Sequence, residues 1–423
     1  MRNFSGPGIG ASAGPFSSPR RHHDIDRSRG AFGPLRSSNP EIFSRDFLAA
    51  ALANFLFFSN ISCFFLLPLH IQALGGSEAE IGFIMGIYSA AAVVIQPLVG
   101  GWVDRFGRRP FQVAGASLVT FAALAFAAAE RLSPLFSILR ILQGIGHATF
   151  FVANFAFVAD LVPAGRRGQA LGIFGLSGLV SMAISPTLGE LLIRAFGFRT
   201  LFLTAAVVGL AAFLVTLRLR ESARPPRGLL PRQSLNRLLS VVTLTLLPLL
   251  LGGSFGVSHG TLFTFVPTYG KALGIPSLAL FYVSYTLCAL LVRTVGGRLV
   301  DRLGPRTILV PTFGLIALAG ALLASLSWFS GAASAAGLVL VGALAGTAHG
   351  FVYPALTVHL MTLASEAQRG AILGWFGAVT IFGSGAGAIV FGYVAQALGY
   401  PIMFLLLAAF LGSSATLALR LDR

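Results

Sequence analysis

The chain has 423 residues, of which 55% are hydrophobic and only 10% charged. A water-soluble surface cannot be assembled from that composition, so the solvent of this chain is a lipid bilayer. The formal charge of +16 would suit a nucleic-acid partner in a soluble protein. Here the basic residues stand at the ends of apolar runs, where they act as topology signals, and nucleic-acid binding is set aside.

Residues 1–44 are rich in Gly, Pro, Ser and Arg, lack the apolar core of a signal peptide, and read as a disordered cytoplasmic tail; Asp24, Asp26 and Glu41 argue against an organelle transit peptide. Apolar stretches of about 20 residues, the length that spans about 30 Å of hydrocarbon, predict helices near 45–70, 79–102, 111–129, 133–160, 168–194 and 199–218. A basic linker at 220–240 carries Arg220, Arg224, Arg227, Arg232 and Arg237. Six more helices are predicted near 241–268, 276–300, 307–327, 333–361, 370–396 and 400–419. The expected domains are therefore 45–219 and 241–423. Basic residues crowd the tail, the linker and alternate short loops, whereas the turns at 71–78, 328–332 and 396–400 have none. That asymmetry places both termini and the linker in the cytoplasm. Cys63 and Cys288 lie inside apolar runs and supply neither a disulfide framework nor a metal site.

One loop is spelled twice. Gly100, Asp104, Arg105, Gly107, Arg108 and Arg109 close the second predicted helix, and Gly297, Asp301, Arg302, Gly304 and Arg306 close the eighth. Pro68, Ala73, Leu74 and Gly75 likewise match Pro267, Ala272, Leu273 and Gly274, while Arg167, Gly168, Leu171 and Gly172 match Arg369, Gly370, Leu373 and Gly374. A duplication of this kind predicts an all-α membrane protein of twelve transmembrane helices in two pseudo-symmetric six-helix bundles, with a solute site between them near the midplane.

On these residues the chain resembles the major facilitator superfamily over about residues 45–420. The stretch 100–109 is similar to the signature between its second and third helices, and 297–306 resembles the weaker second copy, with Pro305 in place of a basic residue. Arg140, Gln143, Gly144 and Gly146 resemble a second signature on the fourth helix, and Asp160, Pro163, Arg166, Arg167 and Gly168 resemble that helix's exit. The resemblance implies alternating access by rocking of the two bundles, a cytoplasmic gate network (Asp104, Arg105, Arg108, Arg109, Asp160, Arg293, Asp301, Arg302), and a cavity lined by the first, fourth, seventh and tenth helices. It also implies a coupling or substrate-charge role for Arg140. A carboxylate beside a helix N-terminus and arginines paired with an acid such as Asp160 could independently latch one arrangement of the basic loops. Arg293 is read as buried and on the same helix face as Gly297 and Asp301.

Polar residues inside apolar spans are costly and therefore informative. Arg140, His147 and Asn154 fall on one face of the fourth helix with Gln143 beside them, and His349 and Tyr353 answer on the tenth. His147 and His349 are repeat equivalents, as are Asn60 and His259. Asn60, Arg140, Gln143, His147, His259, His349 and Tyr353 are thus the candidate substrate or proton pathway. His359 reads as a solvated helix end, Tyr282 and Tyr285 as lipid-facing or packing residues, and Glu190 as a surface-level partner of Arg194. Gly172, Ser181, Ser185, Pro186 and Gly189 form a degraded version of the family's exporter signature, which also reads as close helix packing.

No nucleotide-binding loop, nucleophile motif or metal-ligand cluster occurs, so the chain reads as no enzyme, without a cofactor and driven by a proton or other ion gradient. No carboxylate sits clearly mid-span, which leaves the histidines to carry a proton. The expected function is that of a proton-coupled exporter of a small organic or amphipathic molecule, resembling the drug- and sugar-efflux branches, monomeric in the cell inner (plasma) membrane. Import of an organic anion and a transport-dead scaffold on the same fold are the alternatives.

Overall fold

The computed structural model describes residues 43–163, 166–221, 235–363, 365 and 368–421, with backbone alone for 235–244, 297, 298 and 301. The first six helices are α1 (Arg45–Ala73, with a 3-10 turn at Phe64–Leu66), α2 (Glu78–Phe106), α3 (Arg109–Ala127), α4 (Pro134–Leu161), α5 (Arg167–Phe196) and α6 (Phe198–Arg218). The second set is α7 (Leu235–Ala272), α8 (Ala279–Val295, followed by a short helical segment at Gly297–Leu303), α9 (Pro305–Ser325), α10 (Ala332–Leu363), α11 (369–398) and α12 (400–418). Helix α11 runs into α12 through Gly399, whose φ of 80° turns the chain between two spans at a position where a side chain would be strained. No strand occurs among the described residues, and the twelve segments fall where the apolar runs predict them. The tail at 1–42 and linker residues 222–234 lie outside the described residues.

Local chemistry sets the helix ends. Ser77 and Glu80 form a reciprocal capping box at the start of α2, the Ser77 hydroxyl accepting from Glu80 N–H and the Glu80 carboxylate from Ser77 N–H. Helices α3, α4 and α9 each begin with proline in their first turn, where its missing N–H is not needed. Large apolar side chains such as Val94, Val207 and Val295 point outward from the helices, as lipid contact requires.

The two bundles meet tightly at the end opposite the basic loops. There α2 lies against α11 and α5 against α8. A Cβ on Gly86 would stand 2.6 Å from the carbonyl oxygen of Gly385, and one on Gly82 would collide with that of Ala388. Toward the basic end the helices diverge. Gly168, Gly172 and Gly175 of α5, and their equivalents Gly370, Gly374 and Gly377 of α11, have open space beside them.

Candidate functional site

The centre of the protein is built twice. Helix α4 passes α2 so closely that a Cβ on Gly144 would run into the carbonyl oxygen of Tyr88, and α10 passes α8 so closely that one on Gly346 would run into that of Tyr285. Three residues beyond each glycine stands a histidine, one helical turn along the same face. His147 Nδ1 shares a 2.5 Å hydrogen bond with the Tyr88 hydroxyl, and His349 Nδ1 a 2.8 Å bond with the Tyr285 hydroxyl. Tyr88 and Tyr285 are separated by the same chain distance as Asp104 and Asp301, so both repeats contain the same Gly, His and Tyr arrangement.

Their surroundings differ. In the first bundle the Arg140 guanidinium lies 4.3 Å from the centroid of the Tyr88 ring and donates to Gln143 Oε1 at 2.9 Å. Arg140 is only 3% exposed, and among the described residues no carboxylate pairs with it. A buried cation without a counter-ion is held here by a ring face, an amide and a backbone carbonyl. Gln143 is fully buried and its Nε2 has no partner. His147 is half-buried among Phe57, Phe58 and Phe151 and makes no hydrogen bond through Nε2 with a described residue.

In the second bundle His349 is saturated. Its Nε2 shares a 2.7 Å bond with the Ser258 hydroxyl, so both ring nitrogens are engaged and the ring is locked, 2% exposed. His259 is half-buried, stacks on Phe263 at 4.4 Å, and lies 5.9 Å from the His349 ring. Arg140, Gln143 and His147 thus form one cluster with Tyr88, and His259 and His349 another with Tyr285 and Ser258.

Several expected positions differ. Asn60 is not part of either cluster: it is fully buried in its own bundle and donates to the Ala205 carbonyl of α6 at 2.7 Å. Tyr353 is 40% exposed and packs on Phe376. Arg293, expected to be buried, is exposed, because α8 ends where the bundles diverge. Tyr285, expected at lipid or in packing, is buried and is a hydrogen-bonding member of the site, whereas Tyr282 is buried in packing against Phe263 and Phe281, within its expectation. His359 is buried rather than solvated.

At the basic end Arg108 is the hub. It donates to Asp160 at 2.9 Å, to Asp104 at 3.1 Å and to the Val103 carbonyl at 2.9 Å, while itself nearly fully buried. Glu221 completes the motif from beyond α6, accepting the backbone N–H groups of Arg108 and Arg109 at 2.8 and 3.1 Å and so capping α3. Arg105 is exposed and lies over the Phe106 ring, Arg109 also donates to Leu217, and Arg302 is exposed. The Asp301 side chain lies outside the described ones. These ion pairs join helices of the first bundle to one another.

Sequence reasoning missed Tyr88, Tyr285, Ser258 and Glu221. The repeat offset contained the signal for the two tyrosines, since they recur in step with the duplicated loop just as the histidines recur with α4 and α10. Nothing local marks Glu221, which reads as part of a basic segment.

The family profile described as Major Facilitator Superfamily matches residues 48–347. The Multidrug resistance protein MdtL of Shewanella oneidensis is 35% identical over 157 residues, covering 37% of this chain and 39% of that protein. That of Escherichia coli O8 is 31% identical over 159 residues, or 38% and 40%. The chain thus spans about two-fifths of the length of these relatives. Among solved structures, the nucleoside transporter NupG superposes with a TM-score of 0.72 at 16% identity, covering 88% of this chain and 98% of that one. A bacterial homolog to the human lysosomal transporter Spinster, inward-facing and unoccupied, gives 0.71 at 15%, covering 90% and 97%. At such identities the likeness is one of fold.

Proposed function

Because the chain belongs to the major facilitator superfamily, we propose that it exports a small organic or amphipathic molecule across the inner (plasma) membrane in exchange for protons, by alternating access. The basic loops face the cytoplasm in this reading, so the structure is inward-facing: shut at the outer end and open on the cytoplasmic side. The observation that carries it is the Arg140, Tyr88 and His147 chain, in which a buried cation without a counter-ion sits beside a histidine whose Nε2 is unengaged. Gain or loss of a proton by His147 next to Arg140 would change the charge offered to a solute. The aromatic rings of Phe57, Phe58 and Phe151 around His147 suit an amphipathic molecule. Likeness of one segment to proteins named for multidrug resistance supports export. In this reading the domains are 45–219 and 241–423, joined by the linker 220–240, and transport needs no cofactor and no partner chain.

The test is solute accumulation in everted vesicles whose interior is made acidic. Proton-driven uptake that His147→Gln abolishes, with the variant at normal abundance in the membrane, is the expected result. Uptake that is indifferent to the proton gradient and to His147→Gln overturns the proposal. That no carboxylate pairs with Arg140 among the described residues also favours a second reading, import of an organic anion. Saturable uptake of a carboxylate by intact cells, lost in Arg140→Gln, would select it.

A further inference from the structure

Glu190 does more than pair with Arg194. Its Oε1 lies 2.5 Å from the Arg194 guanidinium, the expected partner one turn along α5. The carboxylate, however, is nearly buried and reaches across to the other bundle. It accepts the Leu278 N–H at 3.0 Å, the Ala279 N–H at 2.9 Å and the Ser277 hydroxyl at 3.1 Å, capping the N-terminus of α8. Arg194 follows it across and donates to the Pro276 carbonyl. On the other side of the pseudo-twofold, α11 caps α2 in the equivalent way: Gln396, the repeat counterpart of Arg194, accepts the Ala79 N–H at 3.3 Å, and the Tyr400 hydroxyl donates to Glu78 at 3.4 Å. Two caps, each supplied by the opposite bundle, therefore close this end.

We propose that Glu190 is a positioning residue of the transport cycle: its carboxylate clasps α8 to α5 and holds the outer end shut, and loss of those contacts releases that end. The proposal rests on the alternating-access reading above. Opening the outer end must separate the end of α5 from the start of α8, which withdraws the two N–H donors, the Ser277 hydroxyl and the partly dry surroundings at once. The charged and titratable groups facing Glu190 are Arg194 on its own helix and Tyr282 on α8. From α1 and α6 only Leu66 and Leu201 approach the adjacent Gly189. The histidines of the two central clusters are not among its contacts.

The experiment is a distance measurement between spin labels at Phe196→Cys and Trp328→Cys, both exposed in the native protein, in the full chain with Cys63→Ala and Cys288→Ala, reconstituted in lipid. In Glu190→Gln the long-distance population should be raised about tenfold relative to the short one, equivalent to about 1.4 kcal/mol. Ser277→Ala, which keeps the acid and removes one donor, should shift the populations in the same direction by a smaller factor. A Glu190→Gln protein with the wild-type distribution overturns the proposal, as does an unchanged Ser277→Ala distribution should Glu190→Gln fail to reach the membrane. This readout needs no solute. Normal flux without the distance shift discards the clasp alone, and the shift without any flux discards the exporter reading alone.

Discussion

Replacing Arg108 by glutamine tests whether the duplicated loop is held by its buried hub. The side chain is nearly fully buried and makes three contacts, to Asp160, Asp104 and the Val103 carbonyl. Asp160 is the critical partner, since its side chain is 4% exposed, against 48% for Asp104. Removing one member of a buried ion pair costs about 3–5 kcal/mol because the other is left charged in a dry site, whereas an exposed pair contributes about 0–1 kcal/mol. Asp160 has a further interaction of its own, which puts the expectation near the low end, about 3 kcal/mol. Arg108→Gln should therefore destabilise by about that amount, Asp160→Asn by a similar one, and the double variant by much less than the sum, with a coupling of about 2 kcal/mol or more in a double-mutant cycle. The assay is unfolding equilibrium by steric trapping in bicelles. Exposed Arg105→Gln is the control and should stay within about 1 kcal/mol of the parent. A loss below about 1 kcal/mol for Arg108→Gln, or strict additivity with Asp160→Asn, would refute the assignment of Arg108 as the hub.

Tyr88→Phe and Tyr285→Phe each remove one hydrogen bond to a histidine, worth about 1 kcal/mol in stability; solute flux in vesicles should fall more for Tyr88→Phe, because His349 retains Ser258 while His147 has no second hydrogen-bond partner among the described residues. Gly144→Val and Gly346→Val should cost about 1–3 kcal/mol or more by forcing α4 from α2 and α10 from α8, read as reduced thermal stability in detergent, whereas Gly172→Ala and Gly374→Ala, with open space beside them, should leave it unchanged. Arg140→Lys keeps the charge but not the flat guanidinium over Tyr88 or its fork to Gln143, so flux should drop markedly at unchanged abundance. Deleting residues 1–40 should leave flux largely intact; its abolition would favour a scaffold role for the tail.

Helix count and repeat architecture were legible because the bilayer imposes both. Each span needs about 20 apolar residues, and a duplicated chain repeats its loop spelling and its glycines at a nearly constant offset. The capping box at Ser77 and Glu80 and the turn at Gly399 are equally local. Burial was less legible. Arg293 has much the same sequence surroundings as a buried arginine, and only the divergence of the bundles at the basic end exposes it. Glu190 shows the reverse: its spacing gives Arg194 as its partner correctly, yet suggests a surface pair where a second bundle lies against the acid and buries it.

The sequence by itself determined the bilayer as solvent, twelve spans, two equivalent halves, and the polar side chains that must find partners away from water. Tertiary structure alone decided which partners they found. Glycines at 144 and 346 allow backbone approach and bring Tyr88 to His147 and Tyr285 to His349; Glu221 and Glu190 cap helices far away in the chain; and Arg140 receives a ring face instead of an acid. Apolar length is a property of one segment and is written within it. Hydrogen bonds between segments depend on how the helices are rotated and how closely they pack, and that is set by all twelve together.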